Sequence, residues 1–177
     1  MECVLAVGVR RTTLSDVART AGVSRMTLYR RFPDVRGMLS ALLTREFGKI
    51  IAEVTRAGAG EPTARGRLVV AAVHALRALA ANPLMRTLIE RDAEMLLPYI
   101  TERIGTSQRM SEEYLQAQLA AGQEDGSVRM GNTALQARTI YHLLQPYVIA
   151  IKPATSDLDL EDLLAEVGRM LDVALQP

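Results

Sequence analysis

The chain has 177 residues, 49% of them hydrophobic, enough for one large packed domain or two small ones. A formal charge of only +1 excludes a polycation that coats nucleic acid along its whole length, and a single cysteine, Cys3, excludes an internal disulfide framework or a multi-cysteine zinc site. The charge is unevenly spread: residues 1–56 hold 10 Lys/Arg against 5 Asp/Glu and residues 57–177 hold 11 against 15, so only the amino end is suited to face a polyanion.

The opening MECVLAVG is apolar but lacks the basic leader of a signal peptide. Only seven residues precede Gly8, so any first helix there is expected to be short. Thr13 and Asp16 then form a capping pair for a helix from Leu14, with Leu14, Val17, Ala18 and Ala21 on one face. Gly22 supplies the backbone freedom of a tight turn, and Ser24 is a good N-cap for the next helix. In that second helix Leu28 and Phe32 are expected to point inward, leaving Arg25, Met26, Thr27, Arg30 and Arg31 outward or near the amino end. Two short helices joined by about three residues including a glycine make a helix-turn-helix, whose second helix enters the major groove.

A helix over 34–57 follows, with Leu39, Leu42, Leu43, Phe47, Ile50, Ile51 and Val54 along one apolar face, as a link from the basic head to the acidic body. Breakers at Gly58 to Pro62, Asn82-Pro83, Pro98, Gly105, Asp125-Gly126, Gly131 and Pro153 then divide the rest. With no alternating runs to suggest strands, the pattern predicts an all-α fold of about eight or nine helices. A helix over 132–151 becomes apolar nearly all round in its second half. Another over 157–175 carries Leu160, Leu163, Leu164, Val167, Met170, Leu171 and Leu175, with Asp157 and Asp159 at its positive end. These last two helices read as a subunit interface or as plain core. The longest apolar run, Ile140 to Ile151, falls short of the roughly 18 residues that span a bilayer. The expectation is a soluble cytoplasmic protein with no membrane partner.

Between Asp16 and Asp34 no acid offsets Arg25, Arg30 and Arg31, whereas a solvated helix face usually mixes signs. Arginine can grip guanine edges or phosphates, and Thr27 can touch a thymine methyl or a phosphate. Tyr29 suits packing and a phosphate contact equally. The segment TTLSDVARTAGVSRMTLYRRFPDVRGML resembles the DNA-binding head of the TetR (tetracycline repressor) family of bacterial transcriptional regulators. The matching elements are Thr13, Asp16-Val17-Ala18, Ala21-Gly22-Val23-Ser24, Thr27-Leu28-Tyr29 and Phe32. The resemblance implies a phosphate contact from Thr13 and base or backbone contacts from Arg25, Met26, Thr27, Tyr29 and Arg31, with Arg30 beside them. It also implies a homodimer on a palindromic double-stranded operator, released by an effector bound in the body. Val35 stands where the family often places a lysine, so Arg36 next to it is expected to supply that phosphate contact. Residues 1–56 form the DNA-binding domain in this reading, and 57–177 the helical effector-binding and dimerisation domain.

Candidate effector residues are soft and aromatic: Met85, Leu88, Met95 and Tyr99, then Met110, Tyr114, Tyr141 and His142. Methionine adapts to irregular ligands, although core packing explains each of these as well. Their low polarity predicts a small, mainly hydrophobic effector, such as one with a long acyl-like chain. His74 and His142 are the only histidines, without HExxH, CxxC or a nucleophile elbow, so neither metal, cofactor nor enzyme activity is expected. The expected function is a dimeric, ligand-responsive repressor. The alternative is a TetR-like small-molecule-binding or interaction module with weakened DNA binding.

Overall fold

A computed structural model of the chain describes residues 1–97 and 105–177. Every regular element among the described residues is helical. The amino-terminal helices are α1 (Glu2–Val7), α2 (Leu14–Thr20), α3 (Arg25–Arg31) and α4 (Val35–Ala57). A 3-10 turn at Gly58–Gly60 leads to α5 (Ala64–Ala81) and α6 (Pro83–Arg91), and a second lies at Ala93–Met95. After the undescribed residues come α7 (Thr106–Glu124), α8 (Thr133–Ile149), the short α9 (Ile151–Ala154) and α10 (Leu160–Leu175). By contact these divide into two compact units, Met1–Phe47 with Asn82–Ser107, and Gly48–Ala81 with Gln108–Pro177.

Local chemistry sets the start of α2 and α3. Each has an extended residue whose hydroxyl accepts the N–H three residues on: Thr13 from Asp16 and Ser24 from Thr27, both at 3.1 Å. This satisfies an amide that the helix itself leaves unpaired. Gly22 adopts φ 66 in the connecting turn, where a side chain would strain the backbone. Leu14 and Ala18 are buried as expected, whereas Ala21, placed on the same face by its spacing, is exposed because the chain turns away there.

The first unit also contains α6, and polar bonds explain its attachment. The Arg91 guanidinium donates to the Ala6 carbonyl at 3.0 Å. The Asp92 carboxylate accepts from the Val9 amide at 2.8 Å and the Arg10 amide at 3.3 Å. Arg10 in turn pairs with Glu94 at 2.7 Å. Asp92 is only 2% exposed, so its charge is tolerated because those two N–H groups face it. Gly8, at φ 83, lets the backbone come this close; a Cβ there would lie 2.7 Å from the carboxylate.

In the second unit Leu68, Leu119 and Leu164 are wholly buried at the centre of the core. Arg65 pairs with Asp172 at 2.9 Å, and Arg77 pairs with Glu161, so α5 and α10 lie antiparallel. One expectation is corrected here. The last helix starts at Leu160 rather than near 157, because Asp159 is the residue whose carboxylate accepts from the Glu161 and Asp162 amides. Of the apolar residues along this helix, Leu164, Val167, Leu171 and Leu175 are buried, while Met170 is 58% exposed. Helix α8 ends at Ile149, with Pro146 inside it and the Ala150 amide closing on the Pro146 carbonyl at 2.7 Å.

Candidate nucleic-acid interface

A cleft of about 760 Å³ opens in the first unit among α1, α2, α3 and α4. From α3 it is lined by Thr27, Leu28, Arg31 and Phe32. A helix advances about 100° per residue, so these four positions share one side and Arg25, Met26, Tyr29 and Arg30 share the other. Met26 is 78% exposed and Tyr29 50%, and no residue of α3 is buried. The helix is therefore held by its cap and by the partial cover of Leu28 and Phe32. Its outer side is left to solvent or a partner.

Charge follows the same division. In this unit Arg10, Arg19 and Arg45 are each paired with a carboxylate. Arg25, Arg30 and Arg36 make no ion pair among the described residues. Arg31 turns toward the cleft side, with its guanidinium 5.7 Å from the centre of the Phe32 ring. The Thr27 hydroxyl lies 2.8 Å from that of Ser24. Thr13 donates to Asp16 at 2.6 Å while Arg19 donates to the other oxygen at 2.7 Å. Those two bonds, that from Thr13 foremost, hold the Asp16 carboxyl below its ordinary range. Arg36 is exposed in the first turn of α4, beside a partly buried Val35. Unpaired guanidiniums on an exposed helix face are suited to phosphates and base edges.

The effector candidates fall into both units. Met85 and Leu88 are buried in the first, with Met95 partly covered. Met110, Tyr114 and Tyr141 are partly buried in the second, where His142 is exposed, edge-on to Tyr141 at 5.5 Å. Tyr99 lies outside the described residues. Burial raises the pKa of Tyr114, which is bonded to Thr55, and of Tyr141, which is bonded to Gln108. Gln118, one helical turn beyond Tyr114, has its side-chain oxygen buried without a hydrogen-bond partner among the described residues. The sequence reading missed Thr55, Gln108 and Gln118. The signal for Gln118 was its four-residue spacing from Tyr114. Among the described residues no group of three or more His, Cys, Asp or Glu could hold a metal ion. No single helix among them is long and apolar enough to cross a membrane.

Residues 1–42 match the model of the bacterial regulatory proteins of the tetR family. An HTH-type transcriptional regulator of Mycobacterium tuberculosis is 35% identical over 170 residues, covering 96% of this chain and 87% of the relative. The chain belongs to the TetR family. Solved structures share its fold at lower identity. FadR of Bacillus subtilis, in complex with stearoyl-CoA, superposes with a TM-score of 0.69 at 18% identity, covering 99% of this chain and 95% of that one. The TetR family repressor AlkX of Dietzia, implicated in biodegradation of n-alkanes, gives 0.67 at 23% identity, covering 93% and 84%. The chain is thus a DNA-binding transcriptional regulator of this family, and its helix-turn-helix is α2–α3.

Proposed function

We propose that this regulator is a homodimeric repressor that binds a palindromic operator and is released by a small, mainly hydrophobic effector. The observation that carries the reading is the outer side of α3, where Arg25, Met26, Tyr29 and Arg30 are exposed and neither arginine has a carboxylate partner among the described residues. Residues 1–56 bind DNA. Arg25 and Arg30 reach base edges or phosphates, with Thr13, Thr27, Tyr29, Arg31 and Arg36 at the backbone. Residues 57–177 supply effector binding and dimerisation.

Dimerisation is supported by the apolar groups left exposed on the last helices: Leu135 and Leu143 on α8, and Met170 and Val173 on α10, each more than half exposed. A symmetric dimer that covers them sets two α3 helices to read successive turns of a duplex. The effector reading draws on the methionine- and tyrosine-rich set that includes Met110, Tyr114 and Tyr141, and on the acyl-CoA carried by the structurally similar FadR. An effector that prefers the DNA-free geometry by about 1–3 kcal/mol lowers operator affinity about 5–150-fold.

A second reading, a ligand-binding module with weakened DNA binding, draws on the loose seating of α3, in which no residue is buried. One titration separates the two. The purified chain is titrated with the DNA upstream of its own gene at several salt concentrations, beside Arg25→Ala. Tight binding that falls steeply with salt, and that Arg25→Ala loses, supports the repressor, since phosphate contacts release counterions. Weak binding to every duplex, unchanged by Arg25→Ala, supports the module.

A further inference from the structure

Of the four side chains on the outer side of α3, only Met26 is apolar. Arg25, Tyr29 and Arg30 each end in a group that bonds to phosphates or base edges. Met26 ends in a thioether methyl, and it is the most exposed large hydrophobic residue among those described, at 78%. Its position is central: at 100° per residue, Arg25 and Tyr29 fall to one side of it and Arg30 to the other. No fold contact explains an apolar group there. A duplex explains it, because the flanking guanidiniums meet no counter-charge among the described residues and are drawn to phosphates. The apolar feature that base edges offer in the major groove is the C5-methyl of thymine. Thr27, the other candidate for that contact, lies on the cleft side with its hydroxyl against Ser24.

The geometry points to Met26 as a specificity-determining residue of α3, packing its thioether on a thymine methyl in each half-site of the operator. The inference rests on the DNA-binding reading and adds the base class that one residue selects.

The test begins by selecting duplexes from a random pool with the full-length chain. Each thymine of the recovered duplex is then replaced by deoxyuridine, which removes the methyl and leaves base pairing intact. Met26 at one thymine per half-site is expected to make a single replacement cost about fourfold in affinity, and both together about fifteenfold, the worth of one buried methyl each. Met26→Ala is expected to bind parent and uracil duplexes alike, whereas Met26→Leu keeps the discrimination. An exposed position makes both variants fold as the parent does. A recovered duplex with no uracil-sensitive thymine, or one equally sensitive in Met26→Ala, overturns the inference alone. Failure of the pool to enrich any duplex overturns the DNA-binding reading, and the inference with it.

Discussion

Replacing Asp92 with alanine is expected to loosen the joint between α1 and the end of α6. The change removes two acceptor contacts, to the Val9 amide at 2.8 Å and to the Arg10 amide at 3.3 Å. Val9 is 2% exposed, so its N–H loses its partner where water does not reach it, at a cost of about 1–3 kcal/mol. The Arg10 bond is longer and only partly buried, and adds about 0.5–1 kcal/mol. The sum is about 1.5–4 kcal/mol, a large share of the roughly 5–15 kcal/mol that stabilises a typical domain. Urea unfolding gives the total, and amide hydrogen exchange at Val9 and Arg10 gives the local effect. Both amides are expected to lose protection in Asp92→Ala while those of the α5–α10 core keep theirs. Unchanged protection at Val9, with less than about 0.5 kcal/mol lost overall, would refute the assignment of Asp92 as the anchor.

Three other outcomes follow from the second unit. Gly122→Ala places a methyl 2.3 Å from the Val128 side chain, so overpacking of about 1–3 kcal/mol outweighs the helix-propensity gain of about 1 kcal/mol. Chemical denaturation checks it, and adding Val128→Ala should recover part of the loss. Leu143→Glu, at a position 63% exposed, should leave the helical content of the folded subunit as in the parent. In the proposed dimer it should shift the equilibrium toward monomer in sedimentation experiments, with about 1–2 kcal/mol of apolar burial lost per subunit; a parent that sediments as a monomer would contradict the dimer itself. Bonds from Ser127 and from the Ala64 backbone hold the Asp125 carboxyl below its ordinary value of 3.8. Its contribution is therefore present above that value and disappears as pH falls through the lowered one. Parent and Asp125→Asn should differ in stability at neutral pH and converge in acid; a constant gap down the whole pH range would contradict this.

The helix-turn-helix was legible because everything that shapes it is local. Thr13 with Asp16, Ser24 with Thr27, and Gly22 between them are fixed by spacings of a few residues, and each behaves as its chemistry predicts. The anchor at Asp92 was not legible. It joins positions 83 apart in the chain, and nothing near Asp92 distinguishes it from a surface acid. Three aspartates precede or open the last helix, and which of them caps it depends on a backbone conformation that composition does not encode. The apolar pattern of that helix likewise showed a stripe but not which of its members the subunit covers: Leu164 and Val167 are buried, Met170 is not. On α3 the excess of arginine was plain. That Arg31 turns to the cleft while Arg25 and Arg30 stay on the outer side required the packing of α1 and α4.

The way α3 is seated also bears on how this regulator diverges. Leu28 and Phe32 hold the helix, while Arg25, Met26, Tyr29 and Arg30 are exposed and carry no packing duty. Substitutions at those four positions leave the fold's stability nearly untouched, since exposed changes usually cost within about 0.5 kcal/mol. Selection on target sequence and selection on folding therefore act on separate residues. A duplicated copy of the gene can acquire a new set of operators by drift on one face of a seven-residue helix, while the buried residues of both units stay unchanged.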